Sequence, residues 1–374
     1  GTFQLKRYWD LDYTPTRKLR TDVSEAARIH ELGGLIEEAV RIRTRADVPL
    51  ACYLSGGVDS ASVLGLASRL SPTPVTAFTV AFDHADYDES PLAAEMAAHV
   101  GARFHRVEVN GQAYVDVFED AVAAGEMPHY NGHGPARFLL SRAVQDAGFK
   151  VALGGEGADE IFAGYHFVRA ALAKDAQGGQ SSATPGSGWT GGGAAGGAAW
   201  QVIRRLAASP TADQRALAET SPMLSWLSRG LGFPKDLQHD LQARFTWLRG
   251  LLSPRLTQRR ADPYRAFLGQ FPWARQLIGR PAFRVVLYMW MRSHFPNYVL
   301  AAERLDMAHA VELRLPFLDH HVFEYARDLP ASLLYKNQQN KYLLRQIMAP
   351  EITAAIRAEP KRPFFAPPTA LTPM

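Results

Sequence analysis

The sequence predicts an α/β protein with a doubly wound parallel sheet and a mainly helical C-terminal part. Up to about residue 170, short β-rich runs alternate with longer helical segments, which is typical of a sheet built from βαβ units. After residue 200, segments rich in Trp, Leu and Arg favour helices and strand signals are few. Sheets of this class bind ligands at the carboxyl ends of their strands.

The predicted elements follow one another without long interruptions. The first is a helix whose apolar residues Leu35, Ile36, Ala39, Val40 and Ile42 favour one buried face. Strands are then predicted at ACYL, PVTAFTVAF, RFHRVEV and KVALGG. Helices are predicted between them at ASVLGLASRL, DESPLAAEMAAHVG, GQAYVDVFEDAVAAG and GPARFLLSRAVQDAG.

The composition excludes several classes of protein. The chain has 374 residues, of which 47% are hydrophobic and 21% charged, as in ordinary globular proteins. Its net charge of +4 and the lack of a long Lys/Arg run give no indication of a nucleic-acid partner. No apolar stretch approaches the ~20 residues of a membrane helix. The single cysteine, Cys52, excludes an internal disulfide and is expected in a core strand. We therefore expect a cytoplasmic protein.

The composition of successive segments predicts the domain organisation of the chain. Residues 1–28 are expected to be a linker from a missing upstream domain, and residues 29–374 one domain. Within that domain we expect a core at 29–170, a flexible insertion at 175–199 and a helical part at 200–374 that completes the site. The Gly/Ala/Ser tract of the insertion has too little apolar surface to offset its ordering entropy; a mobile lid is the alternative.

The loop Ser-Gly-Gly-Val-Asp-Ser, residues 55–60, joins the first predicted strand to a helix. Small residues at such a turn, together with the positive end of the helix dipole, favour a bound phosphate. Asp59 would repel a phosphate unless Mg²⁺ lay between them. The loop therefore indicates a metal-complexed pyrophosphate, although helix capping by Asp and Ser is the alternative.

A second stretch, KVALGGEGADEIFAGYHF, repeats this order of strand, glycines, acids and helix. Asp159 and Glu160 follow the predicted strand. Because Mg²⁺ usually takes one or two carboxylates and completes its shell with phosphate oxygens and water, acids from two neighbouring strand ends fit a Mg²⁺–triphosphate.

Together these stretches resemble the synthetase domain of glutamine-dependent asparagine synthetases, within the ATP-pyrophosphatase loop group. The stretch YDES, the segment ERLDMAHAVELRLPFLDHHVFEYARDLP and the blocks NKYLLRQIM and EPKRPFFAPP fit the family in the same order. The resemblance implies a five-stranded parallel sheet of the adenine nucleotide α-hydrolase type. It also implies cleavage of ATP to AMP and pyrophosphate, and a β-aspartyl-adenylate that is captured by ammonia.

The resemblance assigns site residues as well. It implies catalytic roles for Glu156, Lys341 and Lys361 and a Mg²⁺ site at Asp59 and Asp159. Contacts with the acid substrate are expected at Glu312 and Arg314. Residues expected to bind ATP or pyrophosphate are Leu54, Ser55, Gly56, Gly57, Val58, Asp59, Ser60, Val80, Gly154 and Gly155.

Glu156 indicates the type of nucleophile. Asparagine synthetases have Glu at this position, suited to taking a proton from an attacking amine, whereas the related β-lactam synthetases have Tyr. Glu156 thus favours an external amine and, less strongly, argues against a lasso-peptide cyclase.

Several positions depart from the family pattern. Gly154 stands where the family usually has Ser, and Glu303, Leu305 and Ala310 alter the C-terminal signature. These changes leave the acid substrate open. The pair His129 and His133 is interpreted as part of a polar substrate pocket, with loop packing or a metal site as alternatives.

The expected partners are a small carboxylic acid and ammonia or another amine. The glutaminase domain of the family, with its N-terminal Cys, is expected to be a removed segment or a separate subunit, and a homodimer is possible. Three alternatives remain open: a specialised-metabolism amidotransferase acting on a non-aspartate acid, a tRNA-modifying ATP-pyrophosphatase, and a non-catalytic relative that acts as a binding partner.

Overall fold

The structure is a computed structural model that describes residues 8–13, 23–126, 133–176 and 269–362, together with positions 3, 4, 6, 366 and 367. These residues form two compact units. The larger unit takes its described residues from 20–165 and 295–374, and the smaller from 1–19, 166–189 and 198–294. The predicted insertion lies outside the described residues except for its first positions, as does the helical part before residue 269.

The larger unit is built on a five-stranded sheet with the order β3-β2-β1-β4-β5. All four strand pairs are parallel, so the predicted fold class and strand number are confirmed. The strands are β1 (Leu50–Tyr53), β2 (Thr76–Phe82), β3 (Arg103–Val109), β4 (Val151–Leu153) and β5 (Glu312–Arg314).

Helices connect the strands and continue beyond them. In the first half of the chain they are α1 (Glu25–Arg43), α2 (Val58–Leu70), α3 (Ser90–His99), α4 (Gly111–Gly125), α5 (His133–Asp146), α6 (Ala158–Ile161) and α7 (His166–Ala176). The second half has α8 (Trp273–Gln276), α9 (Ala282–Met307), a 3₁₀ turn at Pro316–Leu318, α10 (His320–Ala326), α11 (Ala331–Leu334), α12 (Tyr342–Ile347) and α13 (Ala354–Ala358). A hairpin of β6 (Tyr335–Lys336) and β7 (Gln339–Asn340) precedes α12.

Local chemistry explains where several helices begin. The Ser24 side chain accepts a hydrogen bond from the Ala27 N–H at the start of α1, and Asn110 caps α4 in the same way through the Ala113 N–H. Such caps satisfy N–H groups that have no partner within the helix.

The central strands are buried, as their near-continuous apolar sequence predicts. Cys52 in β1 is fully buried, and burial raises the pKa of its thiol to about 12. The expectation of a core cysteine is therefore confirmed, and the thiol is not a reactive group.

The smaller unit contains α7, α8 and the first part of α9. Tyr13 joins its parts, since its N–H donates to Gln276 Oε1 at 3.0 Å and its ring packs edge-on against Tyr288. Residues 282–294 of α9 belong to this unit and residues 295–307 to the larger one. None of the described helices combines the length and apolar character needed to cross a membrane.

Candidate active site

The site lies where the strand order changes direction. Strand β1 pairs with β2 on one side and β4 on the other, so the loops that follow β1 and β4 leave the same edge of the sheet side by side. Ligands of open α/β sheets bind at such a switch point. The contact between the loops is close, because a Cβ on Gly155 would lie 2.6 Å from Ser60 N and 2.7 Å from the carbonyl carbon of Asp59.

Substitution of Gly155 should therefore destabilise the fold. The atoms that an added methyl group would meet belong to the backbone and cannot move independently, so we expect Gly155→Ala to lower the free energy of unfolding by about 1–3 kcal/mol. Gly34→Ala in α1 is the matched control, since a Cβ there would meet nothing within 4 Å; it should raise the free energy by about 1 kcal/mol. Chemical denaturation measures both, and equal stability of the two variants would contradict this close approach.

The loop after β1 is held by its own serines. Ser55 N donates to Ser60 Oγ at 2.9 Å, and Gly57 N donates to Ser55 Oγ at 3.2 Å. Gly56 N donates to the Glu89 carboxylate at 3.1 Å. These three N–H groups are thus used within the protein. Gly57, the N-cap of α2, offers no capping side chain, so the first-turn N–H groups of α2 are the better anion donors.

Two carboxylates and two lysines form a charged cluster at this edge. Lys341 Nζ lies 2.5 Å from Asp59 Oδ2 and 2.6 Å from Asp159 Oδ1, and Lys361 Nζ lies 2.6 Å from Asp159 Oδ2. The structure thus brings together four of the sequence-predicted residues from segments 282 residues apart. The roles of these residues stay predictions.

The electrostatics of the two carboxyl groups differ. Burial raises the pKa of Asp59, and the nearby charge of Lys341 offsets this only in part. Burial also opposes ionisation of Asp159, but the charges of Lys341 and Lys361 outweigh it and lower its pKa to about 2. The pKa of Lys361 is raised, because the two carboxylates outweigh its own burial. The two lysines therefore favour the ionised form of Asp159.

The donor set fits Mg²⁺ bound together with a nucleotide. Asp59 Oδ1 is buried and has no hydrogen-bond partner among the described residues, which leaves a carboxylate oxygen for a ligand. The described residues contain no group of three or more His, Cys, Asp or Glu side chains that could hold a metal. A site of two carboxylates plus phosphate oxygens is the arrangement that Mg²⁺ commonly takes with nucleotides.

Backbone geometry makes room for the cluster. Lys341 has a left-handed conformation with φ 52°, which is uncommon for a residue with a side chain and is found at functional sites. A Cβ on Gly164 would lie 1.8 Å from Asp159 Oδ1 and 2.3 Å from Lys341 Cε. Gly164 is therefore needed for the Asp159–Lys341 pair.

Arg345 links the segments that carry the two lysines, a role that no sequence motif indicates. Its buried guanidinium donates to the carbonyl oxygens of Asn340 at 2.9 Å, Arg357 at 2.7 Å and Glu359 at 2.9 Å. Asn340 precedes Lys341, and Glu359 lies two residues before Lys361.

Glu156 belongs to a second polar group, beside the cluster. Its Oε1 accepts a hydrogen bond from Arg137 Nη1 at 3.0 Å. Arg137 also makes a two-pronged contact with Asp306, at 2.8 Å from Nε to Oδ1 and 2.6 Å from Nη2 to Oδ2. Tyr53 donates to Asp306 Oδ1 at 3.0 Å, and its ring lies under the guanidinium.

Sequence reasoning did not identify Arg137 or Asp306. In the sequence, Arg137 and Ser141 are four apart on α5, and Asp306 and His309 are three apart, with His309 just beyond the end of α9. The structure pairs them, with Ser141 Oγ 2.8 Å from His309 Nδ1.

Some predicted residues lie elsewhere. Arg314 Nη1 donates at 2.8 Å to the carbonyl oxygens of Arg43 and Arg45 at the end of α1, and its Nε donates to Glu312 at 2.7 Å. The Arg314 side chain therefore turns to α1, while its backbone carbonyl accepts from Gly154 N at 3.0 Å. Val80 is partly buried in β2 and packs against two apolar core clusters. Of the predicted histidine pair, His129 lies outside the described residues.

Comparison with known proteins identifies the family. The family model described as asparagine synthase matches residues 31–371. The chain belongs to the asparagine synthase family. Membership confirms the resemblance seen in the sequence and supports an ATP-dependent carbon–nitrogen ligase.

Curated members of the asparagine synthase family include relatives with different names. Amidase chyE from Penicillium rubens is 30% identical over 97% of this chain and 56% of its own length. Amidase chry2 from Gibberella zeae is 29% identical over 96% of this chain and 55% of its own. Asparagine synthetase [glutamine-hydrolyzing] 1 from Bacillus subtilis is 26% identical over 92% of this chain and 50% of its own length. The chain spans about half the length of these relatives.

Proposed function

We propose that this chain is the synthetase part of an ATP-dependent amide-forming ligase. It activates a carboxylate as an acyl-adenylate, releases pyrophosphate, and transfers ammonia or another amine to the acyl group with loss of AMP. The observation that carries the proposal is the cluster of Asp59, Asp159, Lys341 and Lys361 at the switch point of the sheet. Family membership supports it.

In the first step, a carboxylate oxygen of the acid attacks the α-phosphorus of ATP and pyrophosphate leaves. Asp59 and Asp159 would hold Mg²⁺, which supplies positive charge against the triphosphate when it is bound. Lys361 and Lys341 carry fixed positive charge beside these carboxylates and would stabilise the leaving pyrophosphate. The first turn of α2 would bind its oxygens through backbone N–H groups.

In the second step, the amine attacks the acyl carbon, the acyl–phosphate bond breaks, and AMP leaves. The attacking nitrogen must lose a proton, and Glu156 is proposed to accept it. Glu156 is three residues from Asp159, so one loop would serve both steps. Effective catalysis then depends on how well the loop orients the acyl-adenylate and the amine.

Aspartate or a related acid is the first candidate substrate, with asparagine as the product for aspartate. A second candidate is a non-aspartate acid of specialised metabolism. It is favoured by the relatives named amidases and by Gly154, which departs from the family pattern beside Glu156. Either way, the nitrogen could come from free ammonia, from another amine, or from a glutaminase domain or subunit.

The decisive experiment follows the carboxyl oxygen of the acid and the phosphate-containing products of ATP in one reaction. Each acid of a panel (aspartate, glutamate, other dicarboxylates and aromatic acids) is labelled with ¹⁸O in its carboxyl groups and incubated with ATP, Mg²⁺ and hydroxylamine. We expect one acid to yield a hydroxamate, pyrophosphate and AMP, with one ¹⁸O in the AMP phosphate. Formation of ADP and phosphate, or unlabelled AMP, would contradict an acyl-adenylate, and no turnover with any acid would contradict the proposed ligase.

A further inference from the structure

The carboxylate of Glu156 is held in one orientation by a side chain that no sequence motif identified. Arg137 Nη1 binds Glu156 Oε1 at 3.0 Å, and both side chains are more than four-fifths buried, with 16% and 17% exposed. A charge-assisted hydrogen bond in such a setting has defined geometry and outweighs a neutral one. The contact therefore fixes where Glu156 points.

Arg137 is itself fixed from two other directions. Asp306, whose side chain is fully buried, takes two of its N–H groups, and the ring of Tyr53 lies 4.2 Å below its guanidinium carbon. Three of the five guanidinium N–H groups are thus used within the protein. Arg137 is better placed to act on Glu156 than to bind a substrate carboxylate.

Asp306 also balances the charge of Arg137. Because Asp306 forms the two-pronged contact, the Arg137–Asp306 pair is neutral overall and presents Glu156 with a hydrogen-bond donor instead of an unbalanced cation.

Gly154 supplies the space that this orientation needs. A Cβ at this position would lie 2.2 Å from Glu156 Oε2, 3.0 Å from Leu315 and 3.1 Å from Leu313. The other carboxylate oxygen, Oε1, is bonded to Arg137 Nη1, so a shift of the Glu156 side chain away from such a Cβ would strain or break that bond. The departure of Gly154 from the family pattern and the presence of Arg137 are therefore parts of one arrangement.

We propose that Arg137, held by Asp306 and Tyr53, is a positioning residue that orients Glu156 toward the incoming amine, and that Gly154 makes this orientation possible. The proposal rests on the proposed function. It assigns Arg137 to the second step alone, since its contacts lead to Glu156 and not to the lysines that serve the phosphates.

The test separates the two steps in the variant Arg137→Met. Pyrophosphate–ATP exchange with the active acid of the panel reports adenylation, and hydroxamate formation reports the amine step. We expect exchange within about threefold of the unaltered chain and a kcat for hydroxamate about 10- to 100-fold lower, as for the loss of one charge-assisted hydrogen bond. Arg137→Lys should recover part of this loss. Arg142→Met, on the exposed side of the same helix, should change neither step.

A second variant covers the case in which Arg137→Met leaves Asp306 as an unpaired buried charge and unfolds the chain. Arg137→Met combined with Asp306→Leu replaces both partners by apolar groups, which is often tolerated. It should fold and keep exchange, yet retain the defect in hydroxamate formation. Equal loss of both steps, or unchanged hydroxamate formation, would overturn the proposal.

Crystal structures of the unaltered chain and the double variant provide a readout that needs no substrate. We expect the Glu156 carboxylate to be ordered against Arg137 in the first and displaced in the second. An unmoved carboxylate would overturn the positioning role. Absence of exchange with every acid in the unaltered chain would instead contradict the proposed function, so the two failures are distinguishable.

Discussion

Asp159→Asn is expected to abolish Mg²⁺-dependent release of pyrophosphate. The substitution removes the carboxylate that both lysines contact and one of the two proposed metal ligands. Loss of a charged ligand at an ATP–Mg²⁺ site should lower the rate by ~10²-fold or more. Asp59→Asn should have a similar effect, because Asp59 supplies the second carboxylate. The measurement is pyrophosphate release at saturating ATP over a range of Mg²⁺ concentrations.

Asp319→Asn is the matched control for these variants. Asp319 is also a buried carboxylate in an ion pair, 3.0 Å from Arg43, but it caps α10 and has no contact with the charged cluster among the described residues. We expect its pyrophosphate release to stay within a few-fold of the unaltered chain. Circular dichroism checks that all three variants are folded. Near-normal activity of both cluster variants would show that the metal is held elsewhere.

Glu156→Gln is expected to separate adenylation from amide formation. Glutamine keeps the size of the side chain and an oxygen that can accept from Arg137, but it cannot take up a proton at neutral pH. Exchange of labelled pyrophosphate into ATP should persist with the active acid. Amide formation should fall by ~10²–10⁴, the range for a positioned acid–base group.

Lys361→Ala provides the contrast, since the Lys361 ammonium contacts Asp159 and its charge is proposed to act at the phosphates. It should lower exchange and amide formation together. If Glu156→Gln also lowered the two in equal measure, Glu156 would be a binding residue for the acyl-adenylate, and the proton acceptor would be another group.

Much of the core fold was predictable because hydrophobic periodicity and glycine-rich turns are local signals. Strand β3 and helix α4 have the predicted bounds, and α2 begins three residues earlier than predicted, at Val58. Strand β5 was not located, because its three residues Glu312–Arg314 are too few for a periodic pattern and include two charged side chains. Its pairing with β4 comes from tertiary contact.

Site residues that belong to local sequence motifs were predictable. Site residues that depend on contacts between distant parts of the chain were not. Asp59 and Asp159 follow strand ends, so their proximity could be inferred from parallel pairing. Arg137 and Asp306 are 169 residues apart, and each by itself is typical of an ordinary charged residue on a helix. Their partnership becomes visible only when α5 and α9 are packed together.

The separation of 282 residues between Asp59 and Lys341 has a consequence for how the protein reaches its active form. Closing so long a loop costs entropy that nearby contacts do not, and until the lysines dock, two acidic side chains face each other at the sheet edge. Strands β1 to β4 can assemble from residues 50–153 before that happens. We therefore expect the charged cluster to form only after the C-terminal segment has folded against the sheet. Activity should then appear only when folding is complete, and not in proportion to the amount of sheet that has formed.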